Sequence, residues 1–268
     1  MTLGSFALLV CGSLFSSVCA QAQAVAVLGA AGDPSWSFDV QNSILSTGLF
    51  SNVDVYDLST TTPSLSTIQT YSSVLVFTDA GALDASQLGD ELDAYLRGGG
   101  GVVDAVFANA SVPIAGAFQS NNDYSIIPLS QDQGNPLDLV AVDPSNPLLT
   151  GVNSFNEGSS SYYGTGVLNP LATLVANWSN GAPLVAYQIV GSGIEVSLNF
   201  YPPSDAVRGD FWDSRTDGAR LLGNALLFSG QSTPAATPEP GSLALLCGLG
   251  VSSIFTVNRL RRKKSNRI

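Results

Sequence analysis

The sequence contains no histidine, and its three cysteines, Cys11, Cys19 and Cys247, all lie towards the two ends of the chain. Without an imidazole, neither a Ser–His–Asp nor a Cys–His arrangement is available to move a proton to or from a reacting group. Zinc sites built from His and Cys are excluded from the body of the chain for the same reason. With no cysteine there to form disulfides, we expect the body to be held together by core packing alone.

Basic residues are also scarce in the body of the chain. The sequence has 10 Lys and Arg against 21 Asp and Glu, and six of the ten basic residues lie between positions 259 and 267. The segment from Gln21 to Thr237 therefore holds four basic and 20 acidic residues, a formal charge of −16. Because such a surface repels phosphates, we expect no nucleic-acid partner.

The N-terminal residues have the pattern of a secretory signal peptide. Ser5 to Val18 is apolar and rich in small residues, and Val18-Cys19-Ala20 offers a small-x-small cleavage site, with a second at Ala20-Gln21-Ala22. We therefore predict a signal peptide over residues 1–20 and export of the chain. The alternative is a buried N-terminal strand or helix.

Near the C-terminus, residues 241–257 are predominantly apolar and carry no charge. A helix of this length, rising about 1.5 Å per residue, spans roughly 25 Å, at the short end of what crosses a bilayer. A cluster of cations follows it, formed by Arg259, Arg261, Arg262, Lys263 and Lys264. Such a cluster is a stop signal that keeps the C-terminus in the cytoplasm and the preceding chain outside. The alternative, a buried core helix, would place these cations beside an apolar core.

The order of features over residues 238–268 resembles the PEP-CTERM sorting signal. The motif Pro238-Glu239-Pro240-Gly241 comes first, followed by the apolar span and then by the Arg/Lys cluster. The resemblance implies processing by an exosortase-type membrane transpeptidase, with delivery to the envelope or outside of a Gram-negative cell. Two prolines keep the motif extended and out of the helix, and residues 230–237 form a linker of small residues before it.

Between the two signals, the chain alternates strands and helices. Apolar runs predict strands at 24–28, 53–56, 73–77 and 101–107, and helical spacing marks 38–49 and 84–97. The second half predicts strands at 137–142, 171–176, 183–189 and 193–198, with the last three in a meander, and a helix over 213–228 capped by Asp213 or Ser214. The order predicts an α/β fold, a mostly parallel sheet with helices on both faces.

The body, residues 24–229, resembles a class I glutamine amidotransferase-like domain, which has a flavodoxin-like fold. The resemblance rests on SSVLVFTD, LGDELDAYLRGGGGVVDAVFA, NPLLTGV, ATLVANWSNGAPLVAYQIVGSGIEVSLNFYP and TDGARLLGNALLF. Active members of that fold place a nucleophilic cysteine at the strand-to-helix elbow after the glycine-rich stretch. The matching segment here, Val102 to Asn109, has no cysteine. The resemblance therefore implies the fold without its catalytic residues.

Other residue patterns offer weaker candidates for chemistry. Asp90 with Asp93, or Asp210 with Asp213, could serve as paired carboxylates in glycoside hydrolysis, but a solvated helix face or a cap is the more common role of such residues. The segment 132–138 contains fragments of a calcium loop but lacks its full spacing, and we expect no metal or cofactor. Residues 29–32 fit a tight turn better than a phosphate cradle, because no Gly-x-Gly-x-x-Gly is present.

Aromatic residues near predicted strand ends are candidates for stacking on sugar rings. As exposed aromatics they would lie where ligand crevices form in open α/β sheets, but core or rim packing is the more common explanation of such residues. They are Trp36, Trp178, Tyr201 and Trp212. The polar segment 153–166 is either a lid or a surface insertion.

These observations favour a non-catalytic exported protein of the cell surface or extracellular matrix, sorted through its C-terminal signal and binding a glycan or another envelope component. A carboxylate-based glycoside hydrolase acting on extracellular polysaccharide is the alternative. Two carboxyl groups about 5–10 Å apart in a cleft at the strand edge would favour the hydrolase. A structural matrix component without a pocket is the third reading.

Overall fold

Apolar runs bounded by glycine or polar residues form the strands. The computed structural model describes residues 23–160 and 162–231, and in it Val25–Ala30 has six buried residues in succession, as expected of a strand covered on both faces. The strands are, in chain order, β1 (Val25–Ala30), β2 (Val53–Asp57), β3 (Ser73–Thr78), β4 (Gly101–Ala105), β5 (Ile126–Ile127), β6 (Gln131–Asp132), β7 (Leu139–Ala141), β8 (Tyr163–Gly164), β9 (Val167–Leu168), β10 (Thr173–Trp178), β11 (Pro183–Val190) and β12 (Gly193–Leu198).

Eight of these strands form one sheet in the order β2-β1-β3-β4-β12-β11-β10-β7. The five strands from β2 to β12 run parallel, and β11, β10 and β7 continue the sheet by antiparallel pairing. The turns of the antiparallel part use Gly181 and Gly191, both with positive φ, which glycine adopts without steric cost. The result is a mostly parallel sheet with an antiparallel extension.

Helices cover both faces of this sheet, which separates two apolar cores. The helices are α1 (Pro34–Ser46), α2 (Leu65–Ile68), α3 (Ala85–Arg97), α4 (Gly116–Ser120) and α5 (Gly218–Ser229), with a 3₁₀ turn at Pro147–Leu149. Phe77, Trp178 and Leu222 belong to the core beneath α1 and α5, while Leu28, Leu92 and Phe118 belong to the core beneath α2, α3 and α4.

Side-chain caps determine where two of the longer helices begin. The Asp33 carboxylate accepts a hydrogen bond from Ser35 N at 2.8 Å at the start of α1, and the Asp84 carboxylate accepts one from Gln87 N at 2.9 Å at the start of α3. Each interaction satisfies a backbone donor that the helix itself leaves free.

Two short antiparallel pairs lie outside the main sheet. Strand β5 pairs with β9, and β6 pairs with β8. They belong to the long connection between β4 and β10, and Gly164 of β8 is tied to the end of β12 because Gly164 N donates to Asn199 Oδ1 at 2.6 Å. The sequence did not predict these two-residue strands.

The predicted order of the longer elements and the mostly parallel, flavodoxin-like sheet are confirmed. The closing helix was placed wrongly: it begins at Gly218, with Asp217 at the cap position, and not near Asp213 or Ser214. The reason is that the Asp213 carboxylate binds Arg215 instead, and the Asp217 carboxylate accepts hydrogen bonds from Asn153 N and Ser154 N.

Several element boundaries also differ from the prediction. The first helix, expected over 38–49, spans Pro34–Ser46, and the strand expected at 137–142 spans Leu139–Ala141. The strand expected at 171–176 begins at Thr173, with Leu171 83% exposed. The strand expected to reach residue 107 ends at Ala105, because the chain turns there at the edge of the sheet. No helix within residues 23–160 and 162–231 is both long and apolar enough to cross a bilayer; the predicted signal peptide and the predicted membrane helix over 241–257 lie outside these residues.

Candidate functional site

A pocket lies at the sheet edge where β3, β4 and β12 end. Asp79 directly follows β3, Phe107 is two residues past β4, and Tyr201 is three residues past β12. The cavity has a volume of about 350 Å³, within the size range of small-molecule pockets, and this edge of an α/β sheet is the usual place for ligands. The connecting segments supply the remaining lining residues, Val112, Gln131, Gln133, Tyr162, Arg208 and Phe211.

Aromatic rings form the inner wall of this pocket, with Tyr201 at their centre. The centroid of its ring lies 5.2 Å from that of Phe107 and 5.1 Å from that of Phe211. Trp36 and Tyr162 extend the wall, at 6.2 and 6.4 Å from Tyr201. Most of these pairs are edge to face, the favourable arrangement for aromatic rings. Burial raises the pKa of the Tyr201 hydroxyl, so it stays protonated at neutral pH and can donate a hydrogen bond.

The rim of the pocket is polar and carries both signs of charge. The Arg208 guanidinium is paired with Asp210 at 2.8 Å and lies over the Phe211 ring, 5.0 Å from its centroid. Asp79 is exposed, and the Tyr201 hydroxyl lies 3.5 Å from its Oδ2 atom. Gln131 accepts a hydrogen bond from the Ser111 hydroxyl at 2.5 Å. The pocket therefore offers mainly polar groups, both donors and acceptors, above an aromatic wall of which little surface is exposed.

The elbow after β4 contains no nucleophile. Val106 and Phe107 occupy it, joined by a cis peptide bond, and Phe107 contributes its ring to the pocket wall. Among the residues that line the pocket, Asp79 is the one carboxylate. The described part of the chain holds no group of three or more His, Cys, Asp and Glu side chains that could bind a metal ion.

Asp104, in the same segment, belongs to a buried cluster with Glu195. The Ser197 hydroxyl lies 3.1 Å from Asp104 Oδ2 and 2.8 Å from Glu195 Oε1. The Asn109 amide donates to Asp104 at 2.8 Å, and the Ser125 hydroxyl donates to Glu195. Burial is the larger cause, and the Asp104 charge the second, of a pKa of Glu195 well above its ordinary value. Burial also raises the pKa of Asp104, to about 6. The raised pKa favours the protonated form of Glu195, and the cluster ties β4 and β12 to Asn109 and Ser125.

Glu157 is a second buried acid that the sequence did not single out. Its side chain is 2% exposed, and neither carboxyl oxygen has a hydrogen-bond partner among the described residues. Burial raises the pKa of Glu157 well above its ordinary value, and the nearby Tyr201 backbone lowers this pKa by a smaller amount. We infer that Glu157 is neutral behind the pocket, because an isolated buried carboxylate would be very costly.

The four carboxylates considered for glycoside hydrolysis do not line the pocket. Asp90 accepts a hydrogen bond from Ala117 N at 2.7 Å, and Asp93 pairs with Arg97 at 2.8 Å. Asp213 pairs with Arg215 at 2.7 Å, and Asp210 holds Arg208 at the rim. Each carboxylate has a structural partner, so the structure does not bring these pairs together over a cleft.

The aromatic candidates, and the segment considered for calcium, differ from the expectation in their burial and their partners. Trp178 and Trp212 are buried, and their indole N–H groups donate to the Asn199 and Pro202 carbonyls at 2.8 and 2.7 Å. Their expected exposure was therefore wrong. It was also wrong for Tyr201, which lines the pocket but is 3% exposed, whereas Trp36 is half-buried and packs beside it. In the segment considered for calcium, the Asp132 carboxylate accepts from Tyr163 and that of Asp138 accepts from Asn156.

The glycine turn and the polar loop both lie against this site. A Cβ atom on Gly32 would be 2.5 Å from Asp79 Oδ2, so the turn after β1 packs closely against the pocket carboxylate. The 153–166 segment is anchored by buried Phe155 and Glu157, and Tyr162 within it reaches the pocket. Pro238, Glu239, Pro240 and Gly241 and the cations of the predicted stop signal lie outside the described residues.

Solved structures similar to this one support the fold. A cytoplasmic protein of Salmonella typhimurium LT2 matches with a TM-score of 0.59 and 13% identity, covering 78% of this chain and 100% of its own. A ThuA-like protein of Bacteroides uniformis matches with a TM-score of 0.56 and 13% identity over 80% and 94%. A GMP synthase subunit of Thermoplasma acidophilum matches with a TM-score of 0.51 and 10% identity over 78% and 94%.

These likenesses extend to the fold and no further, because the identities are low. The matching structures with TM-scores above 0.5 include ThuA-like proteins and a GMP synthase subunit, and they agree with the mostly parallel α/β fold expected from the sequence. No protein-family model matches the chain, and no curated protein matches its sequence.

Proposed function

We propose that this protein is an exported, non-catalytic surface or matrix component whose amidotransferase-like domain binds a glycan. The observation that carries the proposal is the pocket at the ends of β3, β4 and β12, with its aromatic wall and its rim of carboxylate, guanidinium and amide groups. Sugar rings present apolar faces and many hydroxyl groups, which suit a wall of this kind surrounded by donors and acceptors.

The same pocket supports a non-catalytic role. Phe107 stands at the elbow, the sequence has no histidine, and Asp79 is the one carboxylate among the lining residues. A carboxylate-based glycosidase needs two carboxyl groups across the scissile bond. The pocket therefore favours binding over the hydrolase alternative.

Export and sorting are proposed from the signal-like sequences at residues 1–20 and 238–268. The domain is compatible with a C-terminal tether, because its two ends lie together: the Gln23 side chain donates to the Gly230 carbonyl at 3.2 Å. This contact lies at the edge where β1 and β3 begin, and the pocket lies where β3 ends. A six-residue strand spans about 20 Å, so a tethered domain would present its pocket away from the membrane.

Removal of the rim amides is expected to weaken glycan binding. The full-length protein, purified in detergent, would be screened on a glycan array, and the retained glycan would be titrated calorimetrically. With Gln131 and Gln133 both changed to Ala, we expect the affinity to fall about tenfold, because each lost hydrogen bond contributes about 0.5–1.5 kcal/mol. The matched control is Gln69→Ala, an exposed glutamine before β3 and outside this pocket. Retention of no glycan, or equal affinity in the double variant, would count against the proposal.

Processing at the sorting motif is expected to shorten the mature protein. Intact mass and C-terminal peptide mapping of the protein recovered from the cell envelope or medium should show a chain that ends near residues 238–241. A variant with Pro238 and Pro240 both changed to Ala should retain its C-terminal segment, because the extended motif is lost. Recovery of the wild-type chain with its terminal Ile268 intact would contradict exosortase-type sorting.

A further inference from the structure

The two charged side chains that line the pocket, Arg208 and Asp79, differ in whether an oppositely charged group lies beside them. The Arg208 guanidinium already has a carboxylate partner in Asp210, at 2.8 Å. Asp79 has no cationic partner among the described residues, and its carboxylate lies 3.5 Å from the Tyr201 hydroxyl. The charge that the pocket leaves for a ligand to neutralise is therefore negative.

This exposed carboxylate lies at the edge of the aromatic wall, where its nearest ring, that of Tyr201, is 3% exposed. Tyr201, which lies next to Asp79, is packed between Phe107 and Phe211, at 5.2 and 5.1 Å. The face of an aromatic ring attracts a cation, and the attraction grows where water is partly excluded. A carboxylate beside such rings is a suitable environment for an ammonium group.

The net negative charge of the whole domain also favours a cationic ligand. The body carries four basic and 20 acidic residues, and a few buried acids that hold their protons leave most of this negative charge at the surface. A field of this sign attracts cationic ligands and repels acidic polysaccharides such as polyuronates.

From these three observations we infer that the ligand is a sugar with a free amino group, whose ammonium binds Asp79 while its ring packs on the aromatic wall. The inference rests on the proposed function, since it names the class of glycan that the pocket takes. Gln131 and Gln133, at the rim, would bind the hydroxyl groups of the same sugar.

Two oligosaccharides that differ in acetylation alone test this inference. The full-length protein in detergent would be titrated with a β-1,4-linked glucosamine tetramer and with the corresponding N-acetylglucosamine tetramer. We expect the free amine to bind at least about tenfold more tightly, the effect of one additional charge pair. Asp79→Asn, which keeps the shape and removes the charge, should abolish this preference. Asp143→Asn, outside the pocket, is the matched control and should retain it.

Each other outcome overturns the inference. Equal affinity for the two tetramers, or an unchanged preference in Asp79→Asn, would show that Asp79 does not bind an ammonium group of the ligand. Glycan binding itself would still stand. Equally tight binding of ethanolamine or choline would show that no sugar ring is needed. If neither tetramer binds, the inference fails, and the glycan array with the Gln131/Gln133 double variant decides separately whether the proposed function fails as well.

Discussion

The free energy of unfolding is expected to fall as the pH rises above about 5, through neutral pH, rather than to reach a maximum there. Burial raises the pKa values of Glu157 and Glu195 well above the 4.5 of an ordinary glutamate. Between the unfolded and folded pKa values, the folded state therefore binds more protons than the unfolded state, and stability decreases with pH. Each proton contributes about 1.4 kcal/mol per pH unit, so these two groups give a slope of roughly 3 kcal/mol per pH unit. Asp104 and Asp123, whose pKa values burial raises to about 6 and about 7, add to the decrease until they ionise.

The measurement is urea denaturation of the full-length protein in detergent at a series of pH values. Glutamine mimics a protonated glutamate, so Glu157→Gln and Glu195→Gln should each remove about one proton from the slope. The double variant should keep the smaller slope that comes from Asp104 and Asp123, whose pKa values burial raises to about 6 and about 7. Asp57→Asn is a suitable control, because the pKa of this nearly exposed carboxylate is lowered by its hydrogen bond to Ser59 and it titrates at lower pH. A wild-type stability that increases from pH 5 to pH 8 would contradict the protonated state of these acids.

Trp212→Ala is expected to lower the free energy of unfolding by about 3–5 kcal/mol, the usual cost of truncating a buried aromatic side chain. Trp212 is 2% exposed and donates its indole N–H to the Pro202 carbonyl at 2.7 Å. This bond holds the segment that begins at Tyr201 and carries Arg208 and Phe211 to the pocket. The substitution should therefore weaken glycan binding as well as stability.

Trp212→Phe separates the two contributions. It keeps a large aromatic ring but leaves the Pro202 carbonyl without its donor, so we expect a smaller loss of about 1–3 kcal/mol. Chemical denaturation measures the stability of both variants, and calorimetric titration at a temperature where both are folded measures binding. Equal stability of Trp212→Ala and the wild type would show that this ring does not support the segment.

The long elements of the fold were accessible from the sequence because their patterns are local. The apolar run Val25–Ala30 and the amphipathic spacing of Ala85–Arg97 each mark an element without reference to the rest of the chain. The start of α5 was not accessible, because the carboxylate of Asp213 binds Arg215 rather than the helix backbone. Such a choice between partners depends on tertiary contacts.

The pocket was predictable only in part. The sequence indicated Tyr201 and Trp36 through their positions near strand ends, but Asp79, Gln131 and Arg208 come from separate connections and share no spacing. The buried acids gave no signal either, since Glu157 and Glu195 resemble surface residues until the sheet and the 153–166 segment cover them. The absence of histidine from the chain and of cysteine from its body, in contrast, restricts the possible chemistry through composition alone.

The most direct test of the account is the fate of a bound glycan. The full-length protein would be incubated with the oligosaccharide that it retains on the array, and binding and the mass of the recovered oligosaccharide would be measured in the same sample. The account predicts saturable binding that requires Gln131 and Gln133, with the mass of the oligosaccharide unchanged. Shortened oligosaccharide in the wild-type sample, absent when Asp79 is changed to Asn, would instead identify the pocket as a hydrolase site.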